Sequence, residues 1–132
     1  LMAIGDPERV RQCVLNLMEN AVKYSDASTP VIVSLQATQH EILISVKDYG
    51  PGIPKQDWDN IFLAFYRSTS NLSGKSGKPV ASGSGIGLAI VKMMVEQMGG
   101  SVSVVESDTT GASIQIRLKR QLSAVKQFSS AS

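Results

Sequence analysis

Asn16, Asn20 and Lys23 stand four and three residues apart in the run Asn16-Leu17-Met18-Glu19-Asn20-Ala21-Val22-Lys23-Tyr24. On a helix the three fall within roughly 60° of one another, because residues four and seven apart share a face. Two amide oxygens and an ammonium on one stripe can hold a magnesium-bound phosphate. Magnesium keeps most of its waters and takes only one or two protein ligands beside phosphate oxygens. The same stripe also reads as a plain polar face carrying a Glu19–Lys23 pair, worth about a few tenths of a kcal/mol.

Two other segments offer complementary chemistry. In Asp48-Tyr49-Gly50-Pro51-Gly52-Ile53-Pro54 a carboxylate is followed by two glycines. There the backbone can approach a flat ligand while the Asp accepts from an exocyclic amine; an ordinary Asx-type turn is the competing reading. In Gly83-Ser84-Gly85-Ile86-Gly87-Leu88 the glycines open a helix, where exposed N–H groups and the positive dipole end suit phosphate. The spacing is not the dinucleotide fingerprint, and no Gly-Lys-Ser/Thr follows, so it is not a P-loop.

Taken in this order, the segments resemble the ATP-binding catalytic domain of sensor histidine kinases, within the superfamily shared by gyrase, Hsp90 and MutL. Asn16 to Ser25 looks like the family's N box, Asp48 to Ile53 like its first glycine box, Ile61 to Arg67 like its F box, and Gly83 to Leu88 like its second glycine box. The resemblance covers about residues 3–118. It implies Asn20 as the magnesium ligand, Asn16 supporting the metal waters and phosphates, Lys23 on a phosphate, and Tyr24 lining the sugar and base. It implies Asp48 on the adenine amino group and Gly50, Gly52 and Ile53 shaping the pocket. Arg67 would approach the terminal phosphate, and Gly83, Gly85, Gly87 and Leu88 would cradle phosphates. Ser68 to Ser82 would be a lid whose Lys75 or Lys78 can reach them, although solvated loop lysines are the plainer reading. The catalytic set that the resemblance implies is Asn16, Lys23 and Arg67.

In the ATP-hydrolysing relatives a Glu lies four residues before the metal-binding Asn; here that place holds Asn16, an amide that cannot act as a general base. The resemblance therefore implies transfer of the γ-phosphoryl group to a histidine on a separate dimerisation and phosphoacceptor domain, with a response regulator downstream. The alternatives are a nucleotide-binding signalling module without transfer and an ATPase of the same superfamily. Phe62-Leu63-Ala64-Phe65 lacks the charged residues that this family more usually places between the two phenylalanines, which bears on the surface toward the acceptor.

The elements that must position these groups are legible. Asp6-Pro7-Glu8 reads as a helix start, and Val10, Cys13, Val14, Leu17, Met18 and Ala21 as its apolar face. Val31, Val33 and Leu35 alternate with Ile32, Ser34 and Gln36, and Ile42, Ile44 and Val46 with Leu43, Ser45 and Lys47, giving two strands joined near Thr38-Gln39. A short helix is expected from about Lys55 to Phe62, with Trp58 as a packing anchor, and Ser68 to Ser82 as a mobile loop. A second long helix is expected from near Gly85 to a left-handed cap at Gly99-Gly100. It is apolar over most of its circumference, so packing on more than one side is expected, with its methionines as core filling.

Strands at Ser101–Val105 and Ala112–Leu118 follow, and Leu1–Ile4 reads as the end of a strand. One-sided strands covered by helices give an α/β two-layer sandwich. The resemblance makes this a Bergerat fold, with a mixed, mostly antiparallel sheet and about three helices on one face. On the same resemblance residues 1–118 are expected to form the catalytic domain, with its N-terminal strand cut short, and residues 119–132 a polar tail or linker.

A chain of 132 residues with 42% hydrophobic and 18% charged residues suits one soluble domain. Its net charge of +2, without a Lys/Arg run, gives no sign of a nucleic-acid partner. The single Cys13 precludes an internal disulfide and reads as a small core residue. No apolar run approaches the roughly 18 residues of a membrane span, so a cytoplasmic domain is expected, whatever anchor its parent carries. His40, the only histidine, sits at a strand turn rather than in a helical acceptor motif, so the acceptor belongs elsewhere.

Overall fold

The structure is a computed structural model, and it describes residues 6–26, 28–66, 86–107 and 109–120. The first helix, α1 (Pro7–Tyr24), starts as its sequence dictates. Asp6 accepts from the Glu8 N–H at 2.9 Å, Pro7 occupies a position where a missing N–H costs nothing, and Glu8 sits in the first turn. At the far end the Ser25 hydroxyl and N–H both return to the Ala21 carbonyl. Cys13, Leu17 and Ala21, three and four residues apart, are the buried stripe.

Four strands follow the expected periods: β1 (Ile32–Ala37), β2 (Glu41–Lys47), β3 (Ser101–Val105) and β4 (Ser113–Lys119). They form one sheet in the order β1-β2-β4-β3, and every pair is antiparallel. Ile44 lies opposite Ile116, and Ile114 opposite both Val46 and Val104, so the alternating apolar residues of three strands share one face. That face is the core: Ile42, Ile44, Val46, Ile114, Ile116 and Leu118 are all buried. The other face is polar, with Gln115 donating to Ser45 across β4 and β2.

Helix α2 (Gly87–Gln97) lies against β3 and packs antiparallel to α1. Arg9 near the start of α1 meets Gln97 at the end of α2, while Cys13 meets Val91 and Met94. Val91 and Val95 close the core between the helices and the sheet. The helix ends where Gly99 takes φ +78° and Gly100 donates to the Val95 carbonyl, the left-handed cap its sequence promised.

The two-layer α/β sandwich is present, with several differences in detail. The helix expected over 55–62 is a single 3-10 turn, Lys55–Asp57, followed by hydrogen-bonded turns through Phe62. Trp58, Ile61 and Phe62 still pack on the core. Among the described residues two α-helices and this turn therefore stand where about three helices were expected, and the sheet is antiparallel throughout. Helix α2 begins at Gly87, close to the expected start, and its third side is open, with Met93 52% exposed.

Strand β1 alternates as expected, but burial does not follow. Val33 and Leu35 are in register with core residues Val46 and Ile44, yet both are exposed. Helix α1 lies over β2 and α2 over β3, so the edge strand falls outside the covered area. At the far end of the described residues Lys119 still belongs to β4, and Arg120 donates its N–H to the His40 carbonyl. The Leu1–Ile4 strand, the Ser68–Ser82 loop and residues 121–132 lie outside the described residues.

Candidate functional site

Helix α1 places Asn16 and Asn20 half-buried on one side, with Gln12, Glu19 and Lys23 exposed around them. Gln12 donates its side-chain amide to Asn16 Oδ1 at 3.1 Å. Asn20 and Lys23 have no hydrogen-bond or ion-pair partner among the described residues, so the Glu19–Lys23 pair of the plain reading is not made. An amide oxygen and an ammonium are thus left on the surface for a ligand.

The loop after β2 abuts the end of this helix. A Cβ built on Gly50 would stand 2.6 Å from the Tyr24 carbonyl oxygen, so only a glycine lets the loop lie against α1. Asp48, 8% exposed, is held at three points. Its N–H donates to the Ala112 carbonyl at 2.9 Å, and its Oδ1 accepts from the Gly50 N–H at 2.8 Å and the Ala112 N–H at 3.3 Å. With Oδ1 saturated by backbone donors, Oδ2 has no partner among the described residues and remains able to accept.

The β3–β4 connection backs this loop. Gly111, at φ +101°, lies so close that a Cβ there would be 2.0 Å from the Asp48 carbonyl oxygen, and Gly52, at φ +85°, faces the Gly111 backbone. Lys47, the last residue of β2, donates to the carbonyls of Asp48 and Thr110 and stands 4.4 Å from the centre of the Tyr49 ring.

Downstream, Trp58 donates its indole N–H to the Ile53 carbonyl at 2.8 Å and packs against the core, as an anchor should. Tyr66 donates its hydroxyl to the Asp57 carboxylate. That hydrogen bond, helped by partial burial and the nearby negative charge, pushes the Tyr66 pKa up. Leu63 and Phe65 between them are exposed, and Phe65 adopts φ +65°, uncommon for a bulky side chain. A cavity of about 520 Å³ opens behind the loop, between Pro51, Trp58, Val104, Glu106 and Thr110; it does not include Asn16, Asn20, Lys23 or Asp48.

The structure therefore brings together α1, through Tyr24, and the Asp48–Ile53 loop. Gly87 is the exposed first residue of α2, and Leu88 is half-buried against the core. Arg67, Gly83, Gly85, Lys75 and Lys78 lie outside the described residues. Gln12, Lys47, Gly111 and Ala112 were not singled out from sequence. Gln12 was findable by its four-residue offset from Asn16, whereas the Gly111–Asp48 approach joins segments far apart in the chain. Among the described residues no three His, Cys, Asp or Glu side chains gather as a metal cage. The amide donors fit a magnesium ion that brings its own waters and phosphate oxygens.

Residues 5–122 match the family of histidine kinase-, DNA gyrase B-, and HSP90-like ATPases. The sensor histidine kinase GacS of Pseudomonas protegens is 35% identical over 122 residues, which cover 89% of this chain and 13% of that protein. The chain thus spans a small part of the curated relatives it matches. A mycobacterial sensor histidine kinase, MprB, superposes with a TM-score of 0.73 at 34% identity, covering 90% of this chain and 75% of that one. ShkA, solved full-length in complex with AMPPNP, gives a TM-score of 0.68 at 31% identity over 86% of this chain and 22% of its own.

Proposed function

The chain belongs to the histidine kinase-, DNA gyrase B-, and HSP90-like ATPase family, and on that premise we propose that it binds Mg-ATP and transfers the γ-phosphoryl group to a histidine on a separate domain of a sensor histidine kinase. The observation that carries this reading is the contact of Gly50 with the end of α1, which joins a base-reading carboxylate to a phosphate-facing amide stripe.

In this reading Asp48 Oδ2 accepts from the adenine amino group, and Gly50 and Gly52 let the backbone lie against the base, beside Ile53 and Tyr24. Asn20 Oδ1 holds the metal, Asn16 binds its waters, and Lys23 neutralises phosphate charge. Arg67 acts at the terminal phosphate, with Gly83, Gly85 and Gly87 offering N–H groups. A magnesium ion held there would offset negative charge on the phosphate oxygens. Catalysis is then mostly positioning and electrostatics, which suits a site with a neutral amide at position 16.

No described helix is long and apolar enough to cross a membrane. We place the domain's work in the cytoplasm, upstream of a response regulator. Mixing the domain with a histidine-bearing acceptor domain and γ-labelled ATP tests the proposal. Label should move to the acceptor histidine. Sustained phosphate release without transfer would instead place the chain with the ATP-hydrolysing relatives.

A further inference from the structure

Lys47 does not touch the amide stripe, yet its contacts converge on the residue assigned to the base. It is half-buried at the end of β2, on the polar face of the sheet, opposite Ser113 of β4. Its ammonium donates to the Asp48 carbonyl at 2.9 Å and to the Thr110 carbonyl at 2.8 Å, beside the Tyr49 ring. An ammonium has three donors, and here two bind carbonyl oxygens from segments more than sixty residues apart. The Asp48 N–H and Oδ1 are tied to Ala112 on the same connection. The Lys47 bridge adds the Asp48 carbonyl to that set, so the whole residue is fixed except Oδ2.

We propose that Lys47 is a positioning residue for base recognition: by tying the Asp48 and Thr110 carbonyls together it aims Asp48 Oδ2 at the exocyclic amine of a purine. This rests on the reading of Asp48 as the base acceptor. A charge-assisted bridge suits this task because hydrogen bonds from ionised donors are shorter and stronger than neutral ones. Methionine at position 47 retains the packed stem and loses both bonds, whereas arginine can restore them.

The test measures binding of ATP and of purine riboside triphosphate, which lacks the amino group, by calorimetry. For Lys47→Met, ATP affinity is expected to fall about tenfold and the amine-free nucleotide less than about threefold, the difference reporting a lost charged hydrogen-bond network. Lys47→Arg should recover most of the preference. Equal loss for both nucleotides, or no loss for either, overturns the inference, because a merely structural lysine would not sense the amino group. Asp48→Ala separates the two readings. If it erases the preference for ATP while Lys47→Met does not, the Lys47 role alone fails. If Asp48→Ala retains the preference, the assignment of Asp48 fails and takes the inference with it.

Discussion

Gln12 donates its side-chain amide to Asn16 Oδ1 across one turn of α1, at 3.1 Å. One of the two lone pairs of the Asn16 oxygen is thereby engaged. Asn20 Oδ1 has no partner at all among the described residues, so in the proposed reading the metal is assigned to Asn20. Asn20→Ala is expected to erase the gain that magnesium gives to ATP affinity, and Asn16→Ala to reduce that gain by about tenfold, as losses of outer-shell partners do. Titrations with magnesium and with EDTA read this directly; a larger effect at Asn16 than at Asn20 would reverse the assignment.

Two glycines should respond oppositely to alanine. Gly111→Ala places a methyl into the Asp48 carbonyl at a φ of +101°, and should destabilise by about 1–3 kcal/mol while weakening ATP binding. Gly87→Ala meets nothing within 4 Å, and should stabilise α2 by about 0.4–1 kcal/mol. If the Gly87 backbone lies against phosphate, its variant will lose ATP affinity despite that gain. Urea melts and nucleotide titrations on the same samples separate the two effects.

Leu17 is 1% exposed, at the junction of both helices and the sheet. Leu17→Ala should cost about 2–5 kcal/mol, seen as a lower urea midpoint at unchanged m-value. Val22, 65% exposed on the same helix, should tolerate alanine within about 0.5 kcal/mol.

Burial raises the pKa of Cys13 above its ordinary value of 9.0. The folded state therefore holds the thiol proton more tightly than the unfolded state. The resulting stability is fully present below pH 9.0 and declines as pH rises through and beyond that value. Melts of the native chain and of Cys13→Ala over pH 8–11 should show a steeper alkaline loss for the native chain. Parallel curves would contradict the buried-thiol account.

The sequence made much of this arrangement legible because the relevant patterns are local. The Asp6 cap, the Cys13–Leu17–Ala21 stripe, the alternation of β2 and β4 and the Gly99 cap each follow from residues within a turn or two of one another. The exposure of β1 did not follow, because Val33 and Leu35 alternate just as core residues do, and only the reach of the helices above them decides their burial. The 55–62 segment misled for a related reason. Trp58 and Phe62 have helical spacing, but the backbone closes a 3-10 turn at Lys55–Asp57 and then separate turns. Asp48 was singled out by its glycines, one of which, Gly50, donates to its carboxylate, while the Ala112 donor comes from a distant connection and left no mark near it.

The antiparallel packing of α1 on α2 has an electrostatic consequence. Because Arg9 meets Gln97 and Cys13 meets Met94, the C-terminus of α1 and the N-terminus of α2 emerge at the same end of the molecule. The backbone dipoles there present a negative pole beside Gly50 and a positive pole at Gly87, each equivalent to about half an elementary charge. A molecule with a donor amine at one end and anionic oxygens at the other is itself polarised in that sense. In the proposed reading the two helix ends would supply a fixed field that orders such a ligand head from tail, before any single side chain is engaged.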